Sequence, residues 1–294
     1  MEFKDKFLDY LQYEKRYSQY TFKFYKRDLE EFEQFLDQED INEVNHKTIK
    51  SYMYSLTKKG NSRRTIARKL SSLKSFYKYL TVRTKQLIEN PVADLEYPKL
   101  RKSLPKYLTL DQSAALLQAV SGPNEKRDYA ILMLFLNCGI RRSELVGLNL
   151  TDVHEDRIRV VGKGNKERFV YFGTSCRKAI DAYLPERNKK VLSDNRALFG
   201  SRDNNRISVT AVHRLVKKAC LQAGLDATQF SAHKLRHTAA TMMLSGGVDV
   251  KTVQEVLGHE NLNTTQIYTH IENTELKLAA EANPLSKLDF SDEK

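Results

Sequence analysis

The sequence predicts a mainly α-helical chain in two domains, the second carrying a small antiparallel β-sheet. Three observations lead there. Apolar residues recur at three- and four-residue steps over much of the 294 residues, the pattern of amphipathic helices. One stretch, 157–172, shows alternating strands around a turn. A proline-bearing segment without helical period separates the first helices from the rest. The expected divisions are an all-α helical domain over 1–98, a linker over 99–108 and an α+β domain over 109–294. The length agrees with two domains, because a single core stops growing efficiently near this size.

In chain order, Phe3, Phe7, Tyr10 and Leu11 open a helical pattern that runs to Leu36, with Ser18 as an N-cap partway along. A third run covers 46–56. In the fourth, 62–80, Ile66, Leu70, Leu73, Tyr77 and Leu80 share one face, and Arg64, Arg68, Ser71, Ser75 and Lys78 share another. One face is expected to pack and the other to meet a partner. Between Ser51 and Lys85 stand ten basic residues and no acidic one. Surface helices normally mix signs, so this imbalance points to phosphate rather than to a merely solvated face.

Pro91, Pro98 and Pro105 mark the linker region. A helix capped by Thr109 or Asp111 follows. The apolar run 129–148 reads as a buried helix ending at Gly139, with a second helix beginning near Arg142. Arg157 to Phe172 is the hairpin. From 208 onward helices are expected over 208–223, 232–245 and 249–257, the latter two stopped by Gly246-Gly247 and by Gly258. A short helix through Tyr268 and a C-terminal helix near 274–282 complete the pattern.

A formal net charge of +12 and a pI of about 9.4 make nucleic acid the leading partner. An anionic membrane is second. No apolar run long enough to span a bilayer, no signal peptide and no lipidation motif is found, so a cytoplasmic protein without membrane attachment is expected. Cys138, Cys176 and Cys220 are odd in number and lack C-x-x-C spacing, which suggests neither disulfides nor zinc.

Several residues could carry chemistry. His233 and Arg236, three apart on a helix, share a face; alone, such a pair is more often solvated than functional. His233 and His237 have zinc spacing. A metalloprotease helix would need a glutamate where Lys234 stands, and Lys234 and Arg236 are unfavourable beside a dication, so no metal is expected. Arg141 closes the apolar helix with Glu144 one turn on to hold its guanidinium; Arg142 is its rival for an anion. Lys163 sits at the hairpin tip between two glycines that permit close backbone approach. Gly258 stops a helix before His259, and Tyr268 follows on the next.

Together these residues form the inventory for transesterification of a phosphodiester without metal or other cofactor. Arginine forks neutralise the non-bridging oxygens bidentately. A tyrosine hydroxyl, ordinarily titrating near about 10, attacks once a histidine helps remove its proton. The leaving alkoxide needs an acid, which a lysine among other cations can supply.

The stretches GIRRSEL, GKGNKER, HKLRH and LGHENLNTTQIYTH stand in the order and approximate spacing found in the tyrosine site-specific recombinases. The chain resembles most the Xer branch, over nearly its whole length. The resemblance implies a SAM-like core-binding domain followed by a catalytic domain. It implies Arg141 and Arg236 as the phosphate clamp, Lys163 as general acid and His233 as handler of the tyrosine proton. His259 would bond the scissile phosphate, and Tyr268 would be the nucleophile that forms a 3′-phosphotyrosyl link. It further implies a homo- or hetero-tetramer on double-stranded DNA, with a C-terminal helix, here 273–283, passed to a neighbour.

The tail ANPLSKLDFSDEK departs from the short basic tail after His-Pro that is usual in that branch. Chromosome dimer resolution, with its part in chromosome partition and cell division, is therefore set beside DNA integration by a mobile element. The lack of an extra N-terminal domain weighs mildly against arm-binding phage integrases. Two rivals stand outside recombination: a type IB topoisomerase-like relaxing enzyme and a catalytically silent DNA-binding protein. An intact set of six candidate catalytic residues weighs against the last.

Overall fold

The computed structural model describes residues 2–37, 40–99, 106–162, 165–258 and 282–284. Contacts divide the chain into two units, Met1–Leu104 and Pro105–Lys294.

The first unit holds α1 (Glu2–Asp9), α2 (Gln19–Leu36), α3 (His46–Lys58) and α4 (Arg63–Lys78), the last three started by side-chain caps. Ser18 accepts from the Thr21 N–H, Asn45 from those of Lys47 and Thr48, and Ser62 from that of Thr65. Each supplies an acceptor to a backbone N–H that the first turn leaves without an intrahelical one, worth about 1 kcal/mol. Phe7, Phe32, Ile49, Tyr52, Leu73 and Phe76 fill the core between them. The expected apolar face of α4 is buried throughout: Ile66, Leu70, Leu73, Tyr77 and Leu80 are all 5% exposed or less.

Helix α4 does not stop at Lys78. It widens into a π-helical turn over Tyr79–Arg83, closed by the Thr84 N–H on the Tyr79 carbonyl at 3.1 Å. Thr81 and Thr84 turn their hydroxyls back onto the carbonyls of Tyr77 and Leu80, the back-bonding that bends helices.

The second unit opens with α5 (Leu110–Gln118). Thr109, not Asp111, is its cap, because Gln112 three residues on returns a bond to the Thr109 N–H and closes a capping box. Helix α6 (Glu125–Met133) runs into another wide turn, Leu134–Cys138, and ends at Gly139 with φ +58°, a left-handed stop that suits glycine. Leu134, Phe135 and Leu136 have no exposed surface, as expected where a helix is apolar all round. Helix α8 (Thr174–Asn188) packs along α6, and α10 (Ala232–Ser245) packs on the wide turn.

Between them lie α7 (Arg142–Gly147), β1 (Arg157–Val161), β2 (Glu167–Tyr171) and α9 (Val209–Gln222), with α11 (Val250–Leu257) last. The two strands are antiparallel, with Ile158 opposite Val170 and Val160 opposite Arg168 on the inner face. Residues 282–284 dock on this same unit. Asn283, fully buried, donates to the Leu136 carbonyl at 2.7 Å. Gly246 makes room, since a Cβ there would come within 2.3 Å of the Ala282 carbonyl oxygen. The expected helices through Tyr268 and near 274–282 fall mostly on 259–281, outside the described residues. No helix among the described residues is long and apolar enough to cross a membrane.

Candidate active site

The site grows from internal segments that meet around the end of α11. Gly139 turns the chain out of the wide turn, and two residues later Arg141 caps α7 in an extended conformation. Glu144, at the third position of α7, reaches back to accept from the Arg141 backbone N–H at 2.7 Å and from its guanidinium at 2.9 Å. The same carboxylate accepts both prongs of the Arg168 fork from β2, at 2.7 and 3.1 Å. Burial works against ionisation of Glu144. The bonds from Arg168 and then Arg141 outweigh it, so the carboxyl is held below its ordinary range.

Arg236 comes from α10 and is 5% exposed. Its guanidinium donates to the Gly139 and Leu257 carbonyls, both at 2.5 Å. Arg141 donates to the next carbonyl, that of Gly258, and the Arg168 Nε to the one before, Val256, at 3.4 Å. Three arginines from three elements thus cap three successive carbonyls of the last turn of α11. That turn lacks intrahelical donors and carries the negative end of the helix dipole.

The cluster is electrostatically incomplete. Three guanidinium groups face one carboxylate, Glu144, among the described residues. Burial, and then repulsion from Arg141, lower the Arg236 guanidinium to about 10. It stays charged at neutral pH in surroundings that resist the charge. A buried cation pushed down by a second cation is the arrangement that an anion relieves. The Arg141 side chain is 37% exposed against 1% for Glu144, so the arginine, and not its carboxylate, is the face the cluster presents to solvent.

Of the residues expected from sequence, Arg141 and Arg236 are brought together. His233 stands three residues before Arg236 near the start of α10, and is exposed. Arg142 is exposed at the first position of α7, and the cluster is built on its neighbour Arg141. Lys163, His259 and Tyr268 lie outside the described residues. The residues preceding two of them do not. A Cβ on Gly162 would lie 3.7 Å from Glu144 Oε1, and Gly258 holds Arg141 through its carbonyl.

Arg168 was not singled out from sequence, although it lies inside the GKGNKER stretch. The signal was the strand alternation. Arg168 falls on the same face as Val170, which packs inward, so a charged side chain there needs an internal partner.

The basic face of α4 differs from expectation in part. Arg64, Ser71 and Lys78 are exposed. Arg68 is half-buried, ion-paired with the buried Asp28 and seated 5.0 Å over the Phe24 ring. Ser75 bonds the Tyr25 hydroxyl. Lys69 pairs with Glu31 and Arg83 with Glu14. Carboxylates missing from the local sequence are supplied by α2 and by the turn after α1, so three of the ten bases are already matched inside the unit.

Comparison with known proteins assigns both units to one family. Residues 5–84 match the family model described as phage integrase, N-terminal SAM-like domain, and residues 106–275 match that of the phage integrase family. A protein of Caldanaerobacter subterraneus subsp. tengcongensis, described as tyrosine recombinase XerC, is 45% identical, covering 96% of this chain and 87% of its own. The XerC tyrosine recombinase of Staphylococcus epidermidis is 37% identical over 97% of this chain and 98% of its own. Among solved structures, the XerA recombinase is 30% identical with a TM-score of 0.51, covering 94% of this chain and 96% of its own.

Proposed function

The chain belongs to the phage integrase family of tyrosine recombinases, and on that premise we propose that it cuts and rejoins double-stranded DNA at a specific site, as a recombinase of the Xer type, through a 3′-phosphotyrosyl intermediate. The observation that carries this is the pairing of the buried Arg236 with the partly exposed Arg141, with more positive charge than the one carboxylate facing them among the described residues neutralises. A scissile phosphate supplies the missing anion, and the two guanidiniums hold its non-bridging oxygens where charge grows in the transition state.

Tyr268 then attacks the phosphorus while His233 takes its proton. The bond from phosphorus to the 5′ oxygen breaks as the bond to the tyrosine oxygen forms, and Lys163 protonates the departing 5′ oxygen. His259 donates a hydrogen bond to the phosphate. One phosphodiester is exchanged for another, so no ATP is consumed, and reversal with a 5′-hydroxyl from a second duplex completes the exchange. Two further supports are positional: Gly162, beside Glu144, precedes Lys163, and Gly258, bonded to Arg141, precedes His259.

Exchange between duplexes calls for four protomers on two sites, of one chain or two, with the 273–283 segment reaching a neighbour. The exposed Arg64, Ser71 and Lys78 of α4 are the better phosphate contacts of the first unit, and Arg68 and Ser75 position that face from within. The protein acts in the cytoplasm on chromosomal DNA, resolving chromosome dimers.

The test is to sequence covalent protein–DNA junctions across the source genome and clone two direct copies of the recovered site on a plasmid. Deletion of the intervening segment without ATP or added metal is expected, by this chain alone or with a related recombinase. Relaxation of supercoils without exchange would point to a topoisomerase-like enzyme, and tight binding without junctions to a silent DNA-binding protein.

A further inference from the structure

Resting on that reading, we propose that Arg168 is a positioning residue for the reaction: through Glu144 it fixes Arg141, and through Val256 and Gly258 it fixes the end of α11 from which His259 follows. Its setting is costly. On the inner face of the hairpin it stands opposite Val160 and beside Val170, each 1% exposed, where an arginine is tolerated only if fully matched. It is matched by a fork on both oxygens of Glu144 and by the Val256 carbonyl.

Two consequences follow for the clamp. With one prong on each carboxylate oxygen, Arg168 fixes the plane of Glu144, and so the direction in which Oε1 meets the Arg141 guanidinium. It also shares the negative charge. Without Arg168, the single carboxylate would serve Arg141 alone and mask the charge meant for phosphate. The contact with α11 is equally close, since a Cβ on Gly258 would lie 2.9 Å from the Arg168 Nε and 3.0 Å from its Cζ. The last turn of α11 seats against this guanidinium only because position 258 has no side chain.

The experiment uses full-length protein and a nicked duplex carrying the site recovered by junction mapping. It compares wild type with Arg168→Gln and Arg168→Lys in DNA affinity, single-turnover cleavage at saturating protein and its pH profile. Arg168→Gln is expected to slow cleavage by about 10- to 100-fold, in the manner of lost supporting partners, with DNA affinity unchanged. Its acid limb should move to higher pH, because Glu144 is faced by Arg168, Arg141 and Arg236 and loses the first of them. Arg168→Lys keeps the charge without the fork, and should recover part of the rate and return the acid limb toward wild type. Should Arg168→Gln fail to fold, Arg168→Lys alone, read against wild type, is expected to show a smaller loss of cleavage with DNA affinity unchanged. Unaltered cleavage, proportional loss of binding and cleavage, or an unmoved acid limb would overturn the proposal. Failure of the recombinase reading itself would be seen in wild type, as absence of any covalent adduct.

Discussion

Arg236→Lys is expected to slow DNA cleavage by about 100- to 1,000-fold, the loss typical when one preorganised donor to a developing charge is removed, while DNA binding holds. Arg236 spans two carbonyls, those of Gly139 and Leu257, and still has donors for a phosphate. An ammonium has three donors on one atom and cannot span the same points. Charge is lost as well as shape. Burial and the repulsion of Arg141 already lower the guanidinium to about 10. The same surroundings acting on a lysine, whose ordinary value is about 10.4, bring it toward neutrality. Single-turnover cleavage beside a binding titration reads this separation. Equal cleavage by the lysine variant would mean that the buried Arg236 is structural only.

Glu144→Gln is expected to be the most destabilising change in the site, at about 3–5 kcal/mol, because removing one partner leaves buried charges uncompensated. The amide would turn a donor toward guanidiniums that need acceptors, and the Arg141 cap, the Arg168 fork and the seat of α11 would loosen together. The sign with pH follows. The folded carboxyl sits below the unfolded value of about 4.3, so its stabilisation is full above that value and is lost as pH falls through the lower folded one. Denaturant unfolding at neutral and acid pH should find wild type and Glu144→Gln converging as pH drops. A constant gap between them across that range would show that the carboxylate charge is not what holds the cluster.

Much of this was legible from local pattern. The apolar face of α4, the glycine stops after α6 and α11 and the single hairpin all follow from spacing alone, since each depends on neighbours within two turns. The wide turns at Leu134–Cys138 and Tyr79–Arg83 were not legible, because one inserted residue leaves the apolar period almost unchanged. Helix α8 went unassigned: Pro185 lies inside it, and its buried stripe rests on small residues such as Cys176 and Ala179. The pairing of Arg68 with Asp28 joins residues forty apart, which charge counting along α4 cannot see.

For the proposed site, motif order suggested the chemistry, and folding shows how its arginines are held. Arg141, Glu144 and Arg168 lie in two stretches far apart in sequence, yet one carboxylate holds both arginines. Nothing in either stretch alone announces that they share it.

The most direct measurement is the chemical identity of the covalent adduct. Protein trapped on a nicked duplex, digested and analysed by mass spectrometry, should yield a peptide whose Tyr268 carries a 3′-linked nucleotide, with a free 5′-hydroxyl on the released strand. Tyr268→Phe should bind the duplex and trap nothing. An adduct that survives Tyr268→Phe, attachment at another residue, or a nucleotide joined through its 5′ end would contradict the account.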